Sequence, residues 1–182
     1  MHTLRKILVA LALVLVAMPL LGGTASAGEP HQRVLELRDA CDKPSWDEEF
    51  PGLCTESAGS VSLPEFRAEL AKGGSGAWWI RQREITLDTG DSVAATNVGG
   101  IIHTFTEVKA FGKGCVPEWN TAITETVDNC DFGQFAPGGS AVPAGESSVA
   151  QVPTVGVHLF QCLIHPWMRA VVTVDGRGGG RD

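Results

Sequence analysis

The chain has 182 residues, with 14 Lys and Arg against 21 Asp and Glu, and a formal net charge of −7. That length suits one domain with a single sizeable core. The acidic balance argues against nucleic acid and anionic membranes as partners.

Arg5 and Lys6 precede an unbroken apolar run from Ile7 to Met18, Pro19 breaks the run, and Ala25-Ser26-Ala27 follows as an A-x-A cleavage signal. Residues 1–27 therefore read as a secretory signal peptide, too short in its apolar part for a spanning helix. The mature protein is expected to be secreted, periplasmic or otherwise extracytoplasmic, with no membrane span. Residues 28–75 read as an N-terminal extension that is irregular up to residue 60. Ser62 with Glu65 has capping-box spacing, Pro64 suits a first turn, and Gly73-Gly74 ends the segment. Leu63, Phe66 and Leu70 repeat at helical spacing, so 63–72 is predicted as a short amphipathic helix lying on the main domain.

From Trp78 onward the pattern is β. Predicted strands cover 77–80, 84–87, 92–97, 101–108, 149–152, 155–161 and 170–174, each rich in β-branched or aromatic residues or bounded by turn residues. The stretch 109–148 reads as loop, and 176–182 as a flexible glycine-rich tail. Many short strands and one helix predict a mainly β, antiparallel sandwich or barrel over residues 76–175. There is no internal repeat.

Five cysteines are present, Cys41, Cys54, Cys115, Cys130 and Cys162. In an oxidising compartment most thiols pair, and an odd count leaves one over as a reactive thiol, an intermolecular bridge or a ligand. Four cysteines permit three pairings. Local closure favours Cys41–Cys54 and Cys115–Cys130, which leaves Cys162 unpaired.

Cys162, His165 and Met168 stand in C-x2-H-x2-M spacing between two predicted strands. A thiolate, two imidazoles and a weak thioether make up a blue-copper electron-transfer site, so one further histidine is needed. The mature chain offers His31, His103 and His158 besides His165. His31 lies in polar sequence after Pro30, and His158 is one strand repeat away from the loop. His103, beside the Gly99-Gly100 break, is the natural fourth ligand. The expected metal set is His103, Cys162, His165 and Met168, holding one copper ion.

The loop Cys162-Leu163-Ile164-His165-Pro166-Trp167-Met168 resembles the copper loop of the plastocyanin/azurin family of cupredoxins, with amicyanin-like gaps. Asn97 and His103-Thr104-Phe105 resemble the segment that delivers the family's first histidine. The resemblance implies a Greek-key β-sandwich, one type 1 copper and an electron-carrier role. Where the family often has Asn after the first histidine, this chain has Thr104, whose hydroxyl is expected to help link the two ligand segments. Residues 28–75 and 109–148 are additions to the minimal fold. His165 is expected to show its ring edge at the surface as the electron port, with Leu163, Pro166 and Trp167 as apolar docking area around it.

The expected function is one-electron transfer to and from a redox partner protein, by a monomer that is not an enzyme. The alternative is an extracytoplasmic copper carrier or store, for which one methionine and one free cysteine are few ligands. A multicopper enzyme would need more histidines than His31 and His158. A Cys162–His165 nucleophile pair would have no evident orienting group and would leave Met168 unused.

Overall fold

The computed structural model describes residues 29–55, 59–119 and 140–176. The predicted signal segment 1–27 and the tail from 177 lie outside the described residues.

Leu35, Glu36, Leu37 and Arg38 alternate apolar and polar, and the chain there is a strand, β1 (Gln32–Arg38), with both leucines fully buried. This corrects the expectation of an irregular segment up to residue 60. A short helix, α1 (Lys43–Asp47), follows, capped by Asp42, whose carboxylate accepts from Ser45 N at 3.3 Å. It buries Trp46. The helix predicted over 63–72 is α2 (Leu63–Leu70), with the capping box in place: Glu65 accepts from Ser62 N at 2.9 Å, and Ser62 Oγ accepts from Glu65 N at 3.4 Å. Leu63, Phe66 and Leu70 are its buried face.

The remaining strands are β2 (Trp79–Arg81), β3 (Glu84–Asp88), β4 (Ser92–Asn97), β5 (His103–Thr104), β6 (Thr106–Val108), β7 (Ala141–Val142), β8 (Gly156–Gln161) and β9 (Arg169–Asp175). One sheet runs β2-β1-β4, a second β3-β9-β8-β6, and β5 pairs with β7. Both larger sheets are mixed. β1 lies parallel to β4, from Gln32 opposite Ser92 to Leu37 opposite Asn97, and β3 lies parallel to β9. The other pairs are antiparallel. Leu35, Leu37, Val93 and Ala95 from one sheet join Leu87, Phe160, Ala170, Val172 and Val174 from the other in a single core cluster. The protein is thus a mainly β sandwich with few helices.

Two differences from the predicted strands bear on the site. The strand expected over 101–108 breaks at Phe105, whose N–H goes to Ser140 O at 2.9 Å. β5 on one side pairs with β7, and β6 on the other pairs with β8, so the chain changes sheets at this residue. The Phe105 ring turns into the core and stacks on Phe160 with centroids 4.4 Å apart. The strand expected over 149–152 reduces to one bridge, Val93 with Gln151, in which each amide reaches the other's carbonyl at 2.8 Å. Pro153, which has no N–H, ends the pairing there.

Cys41 and Cys54 are joined as expected, across 13 positions. Cys115 is also disulfide-bonded; its expected partner, Cys130, lies outside the described residues. Cys162 is the free cysteine among the described residues, and it is buried.

His158 is half-buried on β8 and tied to β6, with Nδ1 2.7 Å from a Glu107 carboxylate oxygen and Nε2 2.7 Å from Thr154 O. The Glu107 hydrogen bond outweighs desolvation and raises the His158 pKa above the ordinary histidine value. A raised folded-state pKa stabilises fully below about pH 6.5, where the unfolded histidine is charged too, and the contribution fades as pH rises through the folded midpoint. Glu107→Gln should lower the His158 midpoint toward about 6.5, read from its ring-proton NMR shift against pH.

Candidate metal centre

Asn97, at the end of β4, shapes the approach to His103. Its side-chain amide donates to Ile101 O at 2.7 Å and to Val142 O at 2.9 Å, while its Oδ1 accepts from Gly99 N at 2.9 Å. These bonds fold residues 97–101 into a tight loop that delivers His103 at the start of β5. On the opposite segment, Cys162 leaves β8 and its N–H bonds Met168 O at 3.0 Å, while Met168 N–H bonds His165 O at 2.9 Å. The 162–168 loop is closed by its own backbone. The link expected of Thr104 is present: its Oγ1 accepts from Leu163 N at 2.7 Å and so ties the two segments together.

His103, Cys162 and His165 converge, all of them at 0% exposure. The two Nδ1 atoms are 3.2 Å apart, and Cys162 Sγ lies 3.8 Å from that of His103 and 3.6 Å from that of His165. A trigonal ion with bonds of about 2.0 Å to nitrogen and about 2.3 Å to sulfur would separate the nitrogens by about 3.5 Å and each nitrogen from sulfur by about 3.7 Å. The observed triangle fits that set. Met168 is buried in the same loop at 1% exposure. His31 is exposed on the edge of β1, and His158 sits at the β6–β8 edge; neither joins the cluster.

The electrostatics favour a thiolate and an unprotonated His165. Burial works against the Cys162 thiolate. The His103 hydrogen bond and charge, with N–H groups from Thr104 at 3.3 Å and His165 at 3.4 Å, outweigh it and hold the thiol below its usual range. Burial, followed by the His103 charge, pushes His165 well below the histidine range. For His103 burial again opposes the charged ring, but hydrogen bonds and charges from Asp39 and Cys162 carry it up to about 9.

Two features of the site were not predicted from sequence. Asp39, just beyond β1, places a fully buried carboxylate oxygen 2.9 Å from His103 Nε2. The available signal was an acid directly after an alternating apolar stretch and two residues before a half-cystine. The second is an aromatic shell. Trp119 stacks on the His165 ring with centroids 5.2 Å apart, and Trp167, Phe66 and Trp78 surround it at 5.5, 6.2 and 6.3 Å. Gly74 permits this closeness, since a Cβ there would lie 2.5 Å from the Trp167 ring and its φ is +128°.

This shell corrects the expected surface port. The His165 ring edge is wholly covered, because α2 and the turn at Pro117–Trp119 bring rings over it. Leu163 and Pro166 are buried too, and only Trp167 of the expected docking residues is partly exposed.

No family model and no curated protein matches the chain. Among solved structures, a purple cupredoxin from Nitrosopumilus maritimus is similar over 56% of this chain and 86% of its own, at 20% identity and a TM-score of 0.38. A reduced amicyanin variant is similar over 52% of this chain and 70% of its own, at 19% identity and a TM-score of 0.33. An oxidised amicyanin variant, at 17% identity and a TM-score of 0.34, covers 51% of this chain and 70% of its own. The solved neighbours are cupredoxins; the fit of His103, Cys162 and His165 to a copper ion stands on the distances above.

Proposed function

We propose that this chain is an exported, monomeric one-electron carrier with a single type 1 copper, serving a redox partner protein. The observation that carries the reading is the buried triangle of two imidazole Nδ1 atoms and one thiolate sulfur, sized for one ion. Met168 supplies the weak thioether ligand. Copper bound there would cycle between Cu(I) and Cu(II). The chain's own part is to hold one donor geometry for both states, through the Thr104–Leu163 link, the self-closed loop and the Asn97 turn. Full burial of the donors, and a single methionine once residues 1–27 are removed, suit electron transfer better than exchangeable copper storage. The Cys41–Cys54 bridge suits an oxidising compartment. Among the described residues, no helix is long and apolar enough to cross a membrane.

The test is titration of the purified protein with Cu(II). An intense visible thiolate-to-copper band saturating at one equivalent, with narrow copper hyperfine splitting in EPR, is the expected result. Absence of that band, or saturation at two or more ions, would overturn the assignment.

A further inference from the structure

The Asp39 carboxylate is an unusual neighbour for a ring that this reading makes a copper ligand. Its side chain is 0% exposed. Oδ2 meets His103 Nε2 at 2.9 Å and accepts from Ile101 N at 3.2 Å, while Oδ1 accepts from Gly100 N at 3.0 Å and Cys41 N at 3.3 Å. The fold builds this cradle deliberately close. The parallel pairing of β1 with β4 sets Leu37 opposite Asn97, and Val98 N donates to Leu37 O at 2.9 Å, so the strand ends run out side by side. A Cβ on residue 99 would lie 2.0 Å from Asp39 Oδ2, so the approach of the carboxylate requires glycine there.

The acceptor count identifies what Asp39 does. Three backbone N–H groups and one ring nitrogen face the two oxygens. A carboxylate only accepts, so the ring must present Nε2–H, and once the ring gives up its second proton to take a metal, Nδ1 is the lone-pair atom. Nδ1 is the atom that faces Cys162 and His165. A carboxylate on the remote N–H also makes the ligating nitrogen more basic. A stronger nitrogen donor favours the harder Cu(II) over Cu(I).

We propose that Asp39 is a positioning residue for the copper centre: it fixes the tautomer of His103 and lowers the reduction potential of the bound ion. The inference rests on His103 being a copper ligand, as argued above.

Asp39→Asn is the informative variant. An amide in the same place must turn its NH2 either toward the backbone N–H groups or toward His103. The first leaves donors facing one another; the second demands that Nε2 accept and moves the ring proton onto Nδ1. The expected result is a retained thiolate-to-copper band with the Cu(II)/Cu(I) equilibrium shifted about tenfold toward Cu(I), a potential rise of about 59 mV for one electron. A retained band with an unchanged or lowered potential would overturn the role of Asp39. Failure of the unaltered protein to show the band would instead overturn the copper assignment itself. If Asp39→Asn does not fold, nitrogen NMR of the unaltered Cu(I) protein decides. A His103 Nε2–H protected from exchange, with Nδ1 unprotonated, supports the proposal; a His103 proton on Nδ1, or an Nε2–H exchanging freely with water, overturns it.

Discussion

Cys162→Ser should abolish the visible band and lower copper affinity by more than about 100-fold, while leaving the sandwich folded. The band is a thiolate-to-copper charge transfer, so it disappears with the sulfur. Loss of the partners that merely orient metal ligands costs about 10–100-fold in affinity, and loss of a direct, charged ligand should exceed that. A serine hydroxyl is a hard, neutral donor and stays protonated where a thiol at this position gives up its proton. The fold should tolerate the change because the serine oxygen can still accept the Thr104 and His165 N–H groups that now point at Sγ. Circular dichroism would check the fold, absorption the band, and competition with a chelator of known strength the affinity. Survival of an intense blue band in this variant would mean that Cys162 is not the sulfur ligand.

The ligand loop was legible because its information is local. Cys162, His165 and Met168 fall within one turn between strands, and their donor chemistry reads directly from residue type. His103 followed by elimination among few histidines, and α2 from a capping box with a matching apolar face. The strand β4 was read with its observed bounds because the turn at 88–91 and the Gly99-Gly100 break delimit it on both sides. What was missed depends on contacts distant in sequence. β1 was obscured by the polar residues on its outward side, although Leu35 and Leu37 carry the alternation. Asp39 acquires meaning only once β1 lies parallel to β4, a pairing between residues about sixty positions apart that no local pattern encodes. The covering of His165 is more dispersed still. Its rings come from Phe66, Trp78, Trp119 and Trp167, and nothing in the α2 sequence says that the helix lies directly over His165.

That dispersed shell converges on one residue. Phe66 is fully buried, with Trp78 at 4.6 Å, Trp46 at 5.0 Å, Trp119 at 5.7 Å and both His165 and Trp167 at 6.2 Å between ring centroids. It joins both helices to the 162–168 loop. Phe66→Ala removes a large apolar side chain from a packed interior, for which the loss of burial and the remaining cavity together cost about 3–5 kcal/mol. Urea unfolding should report that loss as a lower midpoint with little change in slope. The same substitution should act on function in the opposite sense. With Phe66 gone, the packing that holds α2 over His165 weakens and local opening of that cover lets a small soluble reductant reach the ring, so reduction of the Cu(II) protein by ascorbate should become faster while the visible band persists. Stopped-flow absorption on the folded variant separates the two effects. A lower midpoint with an unchanged reduction rate would show that electrons enter elsewhere than past Phe66. A faster rate would establish that the segment before β2 both stabilises the sandwich and sets how near an electron donor can come to the metal.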